Sequence, residues 1–349
     1  MNSIWVLDRP ASQSFYAVAG RLLFVESLDP TLAPQIDRLF AGWQLTPVSS
    51  PDRNPDIKIT FACGELPHIP AGLSQFEVAE GGRCYSAGDE FYLVFTNSLL
   101  HLKGANASSL GPQASRLHAG VADANESGRR DACGPSADVC VWVKRAKELN
   151  DAELARVTSF AVCAALRRFG MFELHGAGVV APESGDGVLI IGPSGSGKST
   201  LTSQLARAGW GYLSDDELLL SVNGAEIEAR GFRSFFALAA NEKSNLKSCF
   251  EPADVFATPR AEKIAPRFVF FTRISGADET QLHKLTQAET MSRLIRACPW
   301  ATYDTAVAGP NLQLLSRLAR QAKGFNLMAG TDLLEPEQAS RILSSGCRS

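Results

Sequence analysis

Short runs of apolar and polar positions organise the first hundred residues. Arg21–Glu26 predicts a strand, Ile57–Phe61 alternates as another, and Phe91–Phe95 is an apolar run of strand length. Between them Ile36, Leu39, Phe40 and Trp43 recur at helical spacing on one face. Such a stripe is core rather than a cofactor box. Phe15 to about Leu102 therefore predicts a compact α/β unit with no catalytic constellation of its own. The patterning lapses over 104–138, where Gly, Ser, Ala, Asn and scattered charges replace periodicity. A stretch of that kind predicts a disordered insertion rather than a lid. Strand character resumes at Val139–Lys144, so the first domain is expected to span 1–145.

Asp151–Arg168 carries a helical stripe of Leu154, Val157, Phe160, Ala161 and Ala164, with Gly170 as a stop. It is expected to open a second domain over 150–349. Phe172–Ala181 and Val188–Ile191 predict strands either side of a Gly-rich turn. Leu201–Ala208 then predicts a helix and Trp210–Leu213 a further strand. Leu218–Val222 and Ala225–Arg230 flank Asn223-Gly224, the signature of a two-residue type I′ hairpin. Phe268–Thr272 and Phe325–Met328 read as strands, and Met291–Ala297, Leu312–Ala322 and Pro336–Leu343 as helices. No repeat of solenoid period is visible.

Composition narrows the class. Of 349 residues, 45% are hydrophobic and 20% charged, enough apolar material for real cores in about two domains. A formal net charge of -3 argues against nucleic acid or an anionic membrane as partner. No stretch approaches the ~20 apolar residues of a membrane span, and the first ten residues do not form a signal peptide. Eight cysteines lack zinc-ligand or disulfide-framework spacing. A reduced cytoplasmic chain is the expectation.

The chemistry centres on Gly192, Pro193, Ser194, Gly195, Ser196, Gly197, Lys198, Ser199 and Thr200, a complete G-x-x-x-x-G-K-[ST] run between a strand and a helix. Its glycines allow backbone N–H groups to close around an anion. Lys198 adds a point charge, Ser199 a hydroxyl for Mg²⁺, and the helix a positive dipole end. A nucleoside triphosphate is the ligand this predicts. The guanine-reading N-K-x-D and the transporter L-S-G-G-Q are both missing from the sequence, which favours a small kinase-like unit. Asp215 and Asp216 follow one helix and one strand later. In a parallel βαβ unit they would sit at the carboxyl end of the strand beside the loop's own. There a carboxylate could hold Mg²⁺ or take the proton of an attacking hydroxyl. Ser214-x-x-Glu217 is also a capping-box pattern, but the Asn223-Gly224 turn leaves too short a helix to cap.

A tight hairpin would set Glu228 opposite Leu219 and Arg230 opposite Glu217, sharing one face. Glu228 is then either a Mg²⁺ ligand or half of a surface ion pair with Arg230. His175 is either a satisfied core histidine or a functional one. Arg260, Lys263 and Arg267 read as a solvated turn more readily than as a phosphate clamp.

His175-Gly176, the loop, Ala208-Gly209, Leu213-Ser214-Asp215-Asp216 and Glu228-Ala229-Arg230-Gly231 together resemble the catalytic domain of the HPr kinase/phosphorylase family. The likeness covers about residues 171–270. It implies an α/β fold with a P-loop kinase domain preceded by a smaller α/β domain. It also implies ATP and Mg²⁺ as cofactors and a serine of a peptide or protein as the phosphate acceptor. Carried over residue by residue, Lys198 contacts phosphate, Ser199 and Glu228 hold Mg²⁺ with Asp215 nearby, and Asp216 is the base. His175 assists, and Arg267 is the candidate for a catalytic arginine, with Lys263 as its alternative. The resemblance suggests a homo-oligomer, although nothing in the residues requires one. The shortened stretch before Glu228 and the Phe-Arg-Ser-Phe run after Gly231 point to relatives acting on substrates other than HPr.

Overall fold

The computed structural model describes residues 10–78, 81–104, 136–146, 149–233, 235–239, 247–257 and 260–348. The described chain is mixed α/β, built on two large sheets. It divides into two compact units: Met1–Ala41, Leu45–Gly170 and Thr302–Ala308 form one, and Gly42–Gln44, Met171–Ala301 and Gly309–Ser349 the other. Among the described residues no helix is long and apolar enough to cross a membrane.

The first unit is a nine-stranded sheet. Its strands are β1 (Ser12–Val18), β2 (Arg21–Ser27), β3 (Thr46–Pro47), β4 (Ile57–Cys63), β5 (Ser74–Val78), β6 (Gly82–Ala87), β7 (Glu90–Val94), β8 (Ser98–Gly104) and β9 (Ala137–Val143). They lie in the order β3-β1-β2-β4-β9-β8-β7-β6-β5. Strict alternation explains the central strands: Ile57, Ile59 and Phe61 of β4 and Val139, Val141 and Val143 of β9 are buried, and the residues between them are less so. Helix α1 (Ala33–Ala41) buries Ile36 and Phe40. Helix α2 (Asp151–Arg167) is capped by Asn150, whose side chain accepts from the Glu153 N–H. It packs on β4, β8 and β9. The expected boundary at 145–150 is therefore corrected to Gly170, because the apolar stripe of α2 is satisfied by the first sheet. The insertion expected over 104–138 lies, from 105 to 135, outside the described residues. Thr302–Ala308 belongs to this unit too, where buried Arg168 donates to both carboxylate oxygens of Asp304 at 2.9 Å.

The second unit holds β10 (Phe172–Val180), β11 (Gly187–Ile191), β12 (Gly211–Ser214), β13 (Glu217–Asn223) and β14 (Glu226–Gly231). A two-stranded ribbon, β15 (Phe236–Ala239) with β16 (Lys247–Phe250), stands apart from the main sheet. Then come β17 (Lys263–Ile264), β18 (Pro266–Ile274), β19 (Gln281–Lys284) and β20 (Lys323–Ala329). The main sheet runs β17-β14-β13-β10-β11-β18-β20-β19, with β12 also on β10. The helices are α3 (Lys198–Arg207), α4 (Pro252–Val255), α5 (Gln287–Ala297), α6 (Trp300–Tyr303), α7 (Ala308–Gln321) and α8 (Pro336–Arg348).

Strand alternation sorts this sheet into two faces. Ala177, Val179, Val188, Ile190, Phe268, Phe270, Phe325 and Leu327 form one core with Leu201 and Leu205 of α3 and Leu343 of α8. Ile191, Phe271 and Asn326 are aligned neighbours one position further along their strands, so their side chains point to the opposite face. Helix α5 lies against β20, where a Cβ on Gly324 would collide with Thr290. Its start is fixed by a capping box between Thr286 and Glu289.

Two expectations need correction. The strand carrying the double aspartate pairs with β10, not β11, so β10 intervenes between it and the loop's strand. The hairpin forms, but two residues out of the expected register: Asn223 pairs with Glu226, and Gly224 and Ala225 make the turn. Gly224 has φ of +60° whereas Ala225 is not among the positive-φ residues, a type II′ pattern rather than I′. Asn223 stays in the strand because its amide donates to Glu228 Oε2 at 3.0 Å.

Candidate functional site

The glycine-rich loop leaves β11 at Ile191 and enters α3 at Lys198. Gly195 and Gly197 hold φ of +77° and +87°, left-handed values that side chains resist. At Gly192 a Cβ would collide with the Ser196 side chain and lie 2.6 Å from the Thr272 carbonyl oxygen. The backbone is thus closed around a space that only glycine permits. Thr272 Oγ1 donates to the Ser196 carbonyl at 3.2 Å and ties the loop to β18. Among the described residues the buried Ser196 hydroxyl finds no hydrogen-bond partner, and the N-cap of α3, Gly197, offers no side-chain cap. Unmatched polar groups in a glycine cradle at a helix start suit a phosphate ligand. Lys198 is buried, and its ammonium donates to the carbonyls of Gly192 at 2.8 Å and Pro193 at 3.0 Å.

The double aspartate sits at a break in the sheet. Strands β12 and β13 follow one another along β10, with Ser214 opposite Gly178 and Glu217 opposite His175. Asp215 and Asp216 bridge the gap, and the Gly176 N–H donates to the Asp216 carbonyl at 3.0 Å. Gly176 is also opposite Ile191, the last residue before the loop. An interruption of this kind re-aims side chains. Here it places Asp216 at the level of the phosphate loop.

Asp216 is held from two sides: His175 Nδ1 lies 3.2 Å from Oδ1, and Arg233 Nη1 lies 3.1 Å from Oδ2. Arg233 also donates from Nε to Glu217 Oε2 at 3.0 Å. Burial works against the Arg233 charge, but Glu217 and Asp216 outweigh it and raise its pKa. His175 is shifted the other way. Burial lowers its pKa first and the Lys198 ammonium second, against a smaller upward pull from Asp216. The imidazole is therefore neutral near pH 7. That Lys198 is felt at His175 ties the lysine, the histidine and Asp216 into one electrostatic cluster.

Asp215 takes a different course. It is 2% exposed, and its charge is felt by Tyr212 and Arg260 and, more weakly than those of Glu217 and Asp216, by Arg233. Burial first and Asp215 second push the Tyr212 phenol well above its ordinary range.

Two expected members are not brought to the loop. Glu228 lies opposite Ser221, five residues or about 17 Å along the strand from Asp216. Its carboxylate is taken by Arg230 at 2.6 Å, Lys263 at 2.9 Å and the Asn223 amide. Of the two readings left open for it, this arrangement is the ion pair. Arg267 stands at the far end of its strand, since neighbouring Pro266 pairs with Gly187 at the start of β11. The loop begins about 13 Å away at the other end, and Arg267 pairs instead with exposed Glu226 at 2.6 Å. Among the described residues no group of three or more His, Cys, Asp and Glu is placed to hold a metal. Ser199 stands in the first turn of α3.

Sequence reasoning missed Arg233 because the expected register gave its place to Arg230. It also missed Arg273, Arg293 and Arg296, which line a cavity of about 580 Å³ beside the loop with His175, Gly192 and Pro193. The three-residue spacing of Arg293 and Arg296 on a predicted helix was the available signal.

A glycine cradle, a lysine and a braced carboxylate meet at one end of a mixed sheet, an arrangement whose chemistry suits a phosphate group. No family model matches the sequence. No curated protein is significantly similar to it. Among solved structures, the Hpr(Ser) kinase/phosphatase from Coxiella burnetii is similar over 50% of this chain and 96% of its own, at 11% identity and a TM-score of 0.32. Similarity that weak fixes neither fold nor activity.

Proposed function

We propose that the second unit is an ATP- and Mg²⁺-dependent phosphotransferase that moves a γ-phosphoryl group to a hydroxyl, with a serine of a peptide or protein as acceptor. The observation that carries this reading is Asp216, a carboxylate braced by His175 and Arg233 at the level of the phosphate loop. The hydroxyl oxygen attacks the γ-phosphorus and forms the new O–P bond. The bond from that phosphorus to the β,γ-bridging oxygen breaks, and ADP leaves with the electron pair. The hydroxyl proton passes to a carboxylate oxygen of Asp216. Little else is required of the protein, because positioning and charge neutralisation supply most of phosphoryl-transfer catalysis.

Each side chain has a part in this scheme. Lys198 exchanges its loop carbonyls for phosphate oxygens, and the loop N–H groups orient the triphosphate. Arg233 keeps Asp216 aimed, and neutral His175 holds its other oxygen. Mg²⁺, held by Ser199 and by phosphate, would neutralise charge as it develops.

Incubating the full chain with labelled ATP, Mg²⁺ and serine-containing peptides tests the reading. Label should reach the peptide hydroxyl and fail to do so in Asp216→Asn. Tight nucleotide binding with no transfer to any acceptor would leave only a nucleotide-binding module.

A further inference from the structure

The cavity beside the loop has a charge pattern the reaction scheme does not use. Its floor is the face of the sheet opposite α3, where Phe271 and Asn326 stand side by side. Arg273 follows on β18, and Arg293 and Arg296 come from α5. Among the described residues no carboxylate lines it. Arg293 is fixed, donating to Asn326 Oδ1 at 2.8 Å and lying 5.6 Å over the Phe271 ring. The acid one turn before it, Glu289, is engaged by the capping box. Among the described residues Arg273 and Arg296 make no ion pair. Three guanidinium groups around one cavity repel one another unless an anion joins them, and their planar forks match carboxylate and phosphate oxygens.

We infer that this cavity is the acceptor subsite and that it recognises an anionic group, carboxylate or phosphate, close to the acceptor hydroxyl. The inference rests on the phosphotransferase reading above. It is supported by His175 and the loop residues Gly192 and Pro193, which line the same cavity and so connect it to Asp216. The triphosphate cradle is made of the loop's own N–H groups, Lys198 and the N-terminus of α3, and the three arginines are not part of it. One chemistry covers two sources, a serine flanked by acidic residues and a small hydroxy acid or phosphate ester.

Calorimetry on the full chain tests it, with Mg²⁺ and a non-hydrolysable ATP analogue titrated first and the acceptor probes second. The probes are an Asp-Ser-Asp peptide, glycerate and glycerol 3-phosphate, set against an Ala-Ser-Ala peptide and glycerol. At least one anionic probe should bind ten-fold or more tightly than its neutral counterpart, and the one that does names the source. Arg296→Met and Arg273→Met should each weaken that probe about ten-fold while leaving analogue affinity within two-fold, which also shows that the variants are folded. Equal binding of charged and neutral probes would overturn the inference. So would loss of analogue affinity in the arginine variants, or anion binding abolished by Lys198→Ala and untouched by the arginine changes. Failure of the analogue itself to bind would sink the phosphotransferase reading instead, and the anion arms would still report on the cavity.

Discussion

Two carboxylates in the second unit have nearly the same partners and opposite prospects. Glu228 is clasped by Arg230, Lys263 and Asn223 on the β13–β14 hairpin. Asp216 is clasped by His175 and Arg233 at the break between β12 and β13. Around Glu228 every neighbour is a fixed charge or amide on regular strand, and no phosphate-binding element is near. Around Asp216 the ladder is interrupted, one neighbour is a neutral imidazole, and the ammonium of Lys198 is close enough to depress that imidazole's pKa. A carboxylate with cations is thus a brace in one place and, in the proposed reaction, a proton acceptor in the other. What separates them is distance to the loop, not local composition.

The sharpest way to break this contrast is to neutralise each acid in turn. Asp216→Asn should lower the transfer rate by about 10²–10⁴, the range of general-base catalysis, with nucleotide affinity hardly changed. Glu228→Gln should leave the rate alone. Single-turnover phosphotransfer reads both, and a comparable loss in Glu228→Gln would erase the distinction. Next in size, Lys198→Met should weaken nucleotide binding by about 10–100-fold, the worth of charge-assisted hydrogen bonds to phosphate. Equilibrium titration with a fluorescent ATP analogue measures it.

Arg233 sits between the two cases, since it touches Asp216 but not, in this scheme, the reacting atoms. Arg233→Met should lower kcat by about ten-fold, at the low end of what misaligned groups cost, with little change in KM for ATP. Arg233→Lys, which keeps the charge but not the planar fork, should recover only part of that rate. Full activity in Arg233→Met would mean that Arg233 only holds the backbone.

Much of this architecture was legible from periodicity. The first-unit strands at Ile57 and Val139, helix α2 and the loop between β11 and α3 all fall where the patterning put them. The site was legible only in part, for reasons that can be located. Asn223 reads as a turn residue until its amide is drawn off by Glu228, and the resulting two-residue slip moves both Glu228 and Arg233. Only the family resemblance made Arg267 a candidate catalytic arginine, and it precedes a parallel strand that begins at the end of the sheet away from the loop. The boundary at Gly170 was hidden because an amphipathic helix does not say which sheet it will cover. Arg273, Arg293 and Arg296 come from two elements, and only tertiary packing brings them to one cavity.

The smallest effect expected is on stability, and acid should separate the two clusters. Burial raises the Glu228 carboxyl, but the hydrogen bonds from Lys263 and Asn223 and the charge of Arg230 outweigh it and leave its pKa below the ordinary 4.5. Below 4.5 the unfolded chain takes up that proton before the folded one does. The cluster's stabilisation is therefore full above pH 4.5 and is lost as pH falls through the depressed folded value. His175, also depressed from its ordinary 6.5, has the same sign but a higher window: stability begins to fall once pH drops below 6.5, where the unfolded histidine protonates first. Urea denaturation between pH 3 and 8 should show two acid limbs in the parent protein. His175→Gln should reduce the upper limb and leave the lower one unchanged, the remainder of the upper limb coming from His101, which burial also depresses. Glu228→Gln should cost about 1 kcal/mol at pH 7, as expected of a partly exposed ion-pair cluster, and should converge on the parent at the lowest pH. Were His175→Gln to leave the limb below pH 6.5 unchanged, the imidazole would not be held neutral by burial and Lys198, and the electrostatic link between the loop and Asp216 would fail.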